Sequence, residues 1–204
     1  MRCMSWFDFD NWEHDRLRQE WDNASPFPHL ILDNALSGDA LERLRQAVEN
    51  EPHSPYRNTL YEMMASNVLV QHPTLSDFQA ALEQPLCMDA MTTISGHSLS
   101  YVDLRSYVYL RGSFLLPHSD LGPSARRRIA YTLYLSNHDE FEGGELVLYD
   151  CTFRGDDLVK TKPAVTIEPL KGRLVLFEVS KRSMHEVMEV TLGTRISITG
   201  WFSQ

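Results

Sequence analysis

The second half of this chain consists of short runs that suit extended backbone. SYVDLRSYVYL (100–110), RRIAYTLYL (127–135), GGELVLY (143–149), AVTIEP (164–169), RLVLFEV (173–179) and RISITGWF (195–202) are rich in Val, Ile, Leu, Thr and aromatic residues, and turn residues separate them. Such side chains favour a pleated, packed surface. The helical patterns lie earlier, so helices and strands do not alternate as they would in a doubly wound fold. An antiparallel β-sandwich or open barrel with helices on one side is predicted.

The first half carries those helices. PHLILDN (28–34) reads as a strand. Ser37 is placed as an N-cap with Asp39 in the first turn, and Leu41, Leu44, Ala47 and Val48 follow at helical spacing until Pro52. Residues 53–74 show no period and read as irregular. Ser76 and Gln79 have capping-box spacing, which predicts the start of a short helix there. Pro85 suits the first turn of the next helix and Gly96 its C-terminal cap. Residues 1–24 read as a tail or a surface-packed helix. The expected organisation is that N-terminal extension, then one domain over 25–204. Helical support fills 25–97 and a barrel core 98–204, a natural size for a single domain.

Charge and cysteine usage exclude several classes. The net charge is -9, and a phosphate backbone is gripped by clustered Lys and Arg, so no nucleic-acid partner is expected. Arg126-Arg127-Arg128 reads as the solvated start of a strand. Cys3, Cys87 and Cys151 are far apart and odd in number, which argues against a disulfide framework and a thiolate zinc site. The first residues carry acids and no apolar run, so no signal peptide is expected, and no run approaches the roughly 18 apolar residues of a membrane span. A cytoplasmic location and no membrane partner are the expectations.

The chemistry rests on His118-Ser119-Asp120. Side chains two apart on an extended segment share a face, so the imidazole and carboxylate can reach one ion. A second His from a distant strand would complete a two-His, one-carboxylate set, which leaves positions open on a first-row metal. Of the eight His, His185 is placed best, between the run ending at 179 and the last strand. In that last strand Arg195, Ser197, Thr199 and Trp201 share one face, and Ile196, Ile198 and Phe202 the other. Arg195 can fork onto a carboxylate. Tyr107 and Tyr109 share a face shortly before His118, and Tyr134 lies in the strand after it. These tyrosines suit either a core or hydrogen bonds to an anion.

In this order, Tyr109, His118-x-Asp120, RRIAYTLYL, GGELVLYD, LVLFEVSKRSMHEVMEV and TRISITGWF resemble the Fe(II)- and 2-oxoglutarate-dependent oxygenases. More narrowly, with SPFPHLILDNALSGDALERLRQAVE and NTLYEMMAS, they are similar to the prolyl hydroxylases of ribosomal and translation proteins, the group related to the termination-and-polyadenylation protein. The resemblance runs from about residue 25 to the end. It implies a mainly β fold with N-terminal helices, a double-stranded β-helix of the jelly-roll or cupin-like kind. It implies that His118, Asp120 and His185 hold Fe(II), and that Arg195 pairs with the distal carboxylate of 2-oxoglutarate with Tyr134 assisting. Tyr109 and Ser197 would line the same pocket.

The implied reaction consumes 2-oxoglutarate and O2, with ascorbate as a supporting reductant, and hydroxylates a C–H bond. The substrate would be a prolyl residue of a protein of the translation apparatus. A carboxylate at 120 favours hydroxylation over halogenation, since the related halogenases lack it. Zinc could fill the same ligands and would give a dead site for this chemistry. Larger relatives carry a second barrel, which this chain is expected to lack, and the loop LGPSARR after Asp120 reads as long. Both leave two alternatives open: a hydroxylase of a free amino acid or small peptide-like metabolite, and a non-catalytic sensor of 2-oxoglutarate or metal. Neither the groups that orient the histidines from behind nor an oligomeric state follows from the sequence.

Overall fold

The computed structural model describes residues 6–7, 12–122 and 126–204. Cys3 and part of the loop after Asp120 lie outside them. Among the described residues four α-helices are formed: α1 (His14–Asn23), α2 (Gly38–Asn50), α3 (Pro73–Leu82) and α4 (Pro85–Ser95). Ser37 caps α2, its Oγ accepting from the Ala40 N–H at 3.3 Å, and α2 ends before Pro52. Gly96 closes α4 in the left-handed region at φ 74°. The second helical signal is displaced: α3 begins at Pro73, not near Ser76. Proline at the first turn is preorganised, and His72 Nδ1 accepts from the Thr74 N–H at 3.2 Å, so the helix starts about one turn earlier.

The strands before that are β1 (His29–Leu32), β2 (His53–Arg57) and β3 (Tyr61–Ser66). Residues 53–66 thus form an antiparallel hairpin where irregular chain is expected from the sequence. The pattern is masked because β2 is exposed along most of its length and carries Pro55. Asn58 makes the turn, its side-chain oxygen accepting from the N–H groups of Leu60 (2.7 Å) and Tyr61 (3.2 Å).

The later strands are β4 (Tyr101–Val102), β5 (Arg105–Leu110), β6 (Phe114–His118), β7 (Arg127–Tyr134), β8 (Phe141–Gly143), β9 (Leu146–Arg154), β10 (Asp157–Ile167), β11 (Leu174–Glu178), β12 (His185–Val187) and β13 (Val190–Ser203). They curl into one antiparallel sheet in the order β1-β11-β7-β13-β5-β3-β6-β12-β9-β10, with β2 on β3 and both β4 and β8 on β13.

Period-two alternation divides this sheet between two cores. Ile129, Leu133, Leu174, Leu176, Ile196, Ile198 and Phe202 pack on one side against Trp21, Leu44, Phe78 and Ile94 of the helices. Ala130, Tyr134, Val175, Phe177, Tyr107 and Tyr109 face the other side. β7 and β11 are buried on both faces over most of their length, which is why their sequences read as near-continuous apolar runs.

Glu51, at the end of α2, is buried and accepts from the Gln71 N–H (2.8 Å) and the His72 N–H (2.7 Å). It ties the helical layer to the start of α3. Glu51→Ala strands those two donors and is expected to cost about 1–3 kcal/mol in urea unfolding. An unchanged midpoint and slope would show that water replaces the carboxylate.

Candidate active site

The curl brings together residues far apart in the chain. β12 pairs with β6 so that His185 stands opposite His118 on one rung of the ladder, and Asp120 follows just beyond β6. One ligand atom from each of His118, Asp120 and His185 lies within 4.8 Å of the others. His118 Nε2 is 3.4 Å from Asp120 Oδ1, and His185 Nε2 is 3.6 Å from Asp120 Oδ2. The three side chains are largely buried, with exposures of 20%, 10% and 6% for His118, Asp120 and His185.

Each imidazole is fixed from behind by its own strand. His118 Nδ1 lies 2.9 Å from the Leu116 carbonyl, and His185 Nδ1 lies 2.9 Å from the Ser183 carbonyl. A carbonyl only accepts, so Nδ1 carries the proton in both rings. In the neutral ring Nε2 then turns a lone pair towards Asp120. Lone pairs of two imidazoles and a carboxylate converge on one point, an arrangement that calls for a cation. Sequence reasoning names no such partners because it searches side chains, and the acceptors are backbone.

Electrostatics agree with a cation site. Burial alone would raise the Asp120 carboxyl, but the charges and hydrogen bonds of His185, His118 and Trp201 hold it down at about 2. Burial pushes His185 down, and Asp120 only partly offsets this. Burial also opposes protonation of His118, where the hydrogen bond and charge of Asp120 prevail and raise it. An ionised Asp120 and a His185 that gives up its proton suit metal binding, while His118, held by Asp120, would have to release its proton to an incoming cation.

The triad opens on a cavity of about 310 Å³. Arg195, Ser197, Thr199 and Trp201 line one wall, so the facing predicted for the last strand is the observed one. Arg195 is 2% exposed. Its guanidinium lies between the Tyr109 and Tyr134 rings, 4.6 Å and 4.8 Å from their centroids. Its Nε and Nη1, the Tyr134 hydroxyl and the Ser197 Oγ find no hydrogen-bond partner among the described residues. Buried polar groups seldom stay unsatisfied, so this end of the cavity is shaped for an anion. Burial pushes the Tyr109 phenol up to about 12 and raises Tyr134 as well, so both remain donors.

The double glycine shapes this end. Gly144 has φ +73°, and a Cβ there would stand 2.7 Å from Arg195 Cδ. Only glycine accepts that backbone and leaves room for the arginine stem.

Two site residues are not singled out by sequence. Trp201 donates its indole N–H to Asp120 Oδ2 at 2.8 Å. Arg127 lies 3.5 Å over the Trp201 ring and lines the cavity, so the reading of 126–128 as a solvated strand start does not hold for it. The face-sharing of Trp201 with Arg195 is the available signal for the first. Nothing local marks the second. Cys87 is buried, Cys151 is half-buried, and both are free thiols outside the triad. No helix among the described residues is long and apolar enough to cross a membrane.

Comparisons with known proteins fit this geometry. The profile of the 2OG-Fe(II) oxygenase superfamily matches residues 104–203. The chain is 31% identical over 195 residues to prolyl 3-hydroxylase OGFOD1 of Xenopus laevis, covering 88% of this chain and 35% of the relative. It is 34% identical over 196 residues to OGFOD1 of Mus musculus, covering 88% and 33%. The chain therefore spans about a third of the length of these relatives. Among solved structures, a prolyl-4-hydroxylase of Pseudomonas putida superposes with a TM-score of 0.69 at 23% identity, over 92% of this chain and 98% of that one. A prolyl hydroxylase of Trichoplax adhaerens, in complex with a hypoxia-inducible-factor peptide fragment, gives 0.70 at 18% identity, over 93% and 90%. At such identities the structures speak for the fold, which is the jelly-roll-like barrel expected from the sequence. With residues 104–203 the chain carries a domain of the 2OG-Fe(II) oxygenase superfamily.

Proposed function

We propose that this protein is an Fe(II)- and 2-oxoglutarate-dependent hydroxylase acting on a prolyl residue of a protein of the translation apparatus. The observation that carries the reading is one cavity with two receptors. The lone pairs of His118, Asp120 and His185 converge at one place, and the unsatisfied donors of Arg195 and Tyr134 lie along the same wall. A dicarboxylate that meets a metal at one end and needs a buried cation at the other fits both. The prolyl assignment draws on the similarity to prolyl 3-hydroxylases and on the resemblance of the N-terminal segments.

In this reading His118, Asp120 and His185 hold the iron. Bound iron would supply the activation of dioxygen coupled to decarboxylation of 2-oxoglutarate. The chain supplies orientation. The Leu116 and Ser183 carbonyls keep the imidazole Nε2 atoms turned inward. Arg195 neutralises the distal carboxylate in a buried pocket, and Tyr134 and Ser197 donate to it. Tyr56, Leu60, Tyr61, Leu115 and Leu121 line the cavity with apolar surface suited to a pyrrolidine ring, which has no side-chain polar group to satisfy.

The test is succinate release by anaerobically iron-loaded protein given 2-oxoglutarate and O2, with and without the macromolecular fraction of a cell extract. Stimulation by that fraction, with a +16 Da prolyl peptide found by mass spectrometry, is the expected result. Stimulation only by small molecules would replace the protein substrate with a metabolite. Binding of 2-oxoglutarate without succinate would replace the enzyme with a sensor.

A further inference from the structure

Trp201 is held at both ends. Its backbone N–H donates to Asp103 Oδ1 at 2.7 Å, and its indole N–H donates to Asp120 Oδ2 at 2.8 Å. Gly200, just before it, passes so close to the Asp103 carbonyl that a Cβ would stand 2.0 Å from that oxygen. The strand is therefore pressed onto Asp103 at this point. Arg127 covers the indole face from the cavity side, 3.5 Å from the ring centroid.

From this we infer that Trp201 is a positioning residue for Asp120, selecting which carboxylate oxygen is offered to the metal; the inference rests on the assignment of Asp120 as a ligand. The two oxygens are not equivalent. Oδ2 accepts a hydrogen bond from the indole and lies 3.6 Å from His185 Nε2, while Oδ1 faces His118 Nε2 at 3.4 Å and takes no indole hydrogen bond. A short carboxylate side chain can rotate about its terminal bond, and the indole N–H stops that rotation. The donor is neutral, so it orients the carboxylate without supplying the positive charge that would compete with a metal ion. Arg127 brings its charge to the ring face, and it restrains the indole by stacking. Groups that orient metal ligands in this way commonly govern affinity as well as rate.

The test uses the full chain and metal binding rather than turnover. Co(II) is titrated into the wild type and Trp201→Phe, following visible absorption and heat. Trp201→Phe keeps an aromatic packing surface and removes the N–H. Its Co(II) affinity is expected to fall by about ten- to a hundredfold, with a changed visible band, while the circular dichroism spectrum matches the wild type as proof of folding. Unchanged affinity and band in Trp201→Phe overturn the inference and leave the metal site standing. A wild type that binds no Co(II) overturns both.

A second measurement needs no variant. In protein labelled with 15N at its four tryptophans, one indole N–H resonance is expected to move when diamagnetic Zn(II) is added. Four unmoved resonances, with Zn(II) bound, overturn the inference.

Discussion

Asp120→Ala is expected to abolish 2-oxoglutarate turnover while leaving the protein folded. The carboxylate is the one anion in the triad, and both imidazole Nε2 atoms point at it from 3.4 Å and 3.6 Å. Without it two neutral nitrogens remain, too few to hold a divalent ion against water. Loss of several kcal/mol of metal-dependent stabilisation corresponds to about a thousandfold or more in rate. The fold should survive, because Asp120 sits beyond the end of β6 and contributes no backbone ladder bond there. Circular dichroism and succinate assays on the same preparation separate the two effects. A folded Asp120→Ala protein that still makes succinate would remove Asp120 from the ligand set.

Arg195→Ala has a different signature. Its guanidinium is buried, flanked by two phenol rings, and has two nitrogens without partners among the described residues. A 2-oxoglutarate carboxylate placed there would lose its buried counter-charge. Breaking such a pair costs about 3–5 kcal/mol, so the 2-oxoglutarate KM should rise by roughly two to four powers of ten. The effect on kcat at saturating co-substrate should be much smaller, since the triad is intact. Arg195→Lys should recover only part of the loss, because a point charge lacks the planar fork. Steady-state kinetics with direct 2-oxoglutarate binding reads both numbers. An unchanged KM would move the carboxylate anchor to another residue.

These two residues are legible in the sequence for a physical reason. Strand alternation has period two, so the spacing of Arg195, Ser197, Thr199 and Trp201 by itself announces a shared face. The same holds for the two buried faces of β7 and β11, whose apolar runs reveal strands covered on both sides. The hairpin of β2 and β3 is not legible, because an exposed strand carries no apolar alternation and Pro55 breaks the propensity signal. The start of α3 is misplaced when a local side-chain pattern at Ser76 is weighed above Pro73, where the helix begins. Exposure likewise hides the length of β9 and β10: only the buried end of each run reads as a strand. Arg127 shows the limit of local reading. Whether an arginine at a strand start meets water or an indole depends on a residue 74 positions away, at 201.

The rung that pairs His185 with His118 has a mechanical consequence. β12 is only three residues long, and it joins β6 to β9 within the sheet. An ion gripped by both histidines would act as a cross-link at this short seam, closing the loop of chain between them and removing freedom from the open state. The metal would then serve as a rivet as well as a reagent. Without it, β12 is expected to open more readily, its amides exchanging with solvent ahead of those of the longer flanking strands β6 and β9.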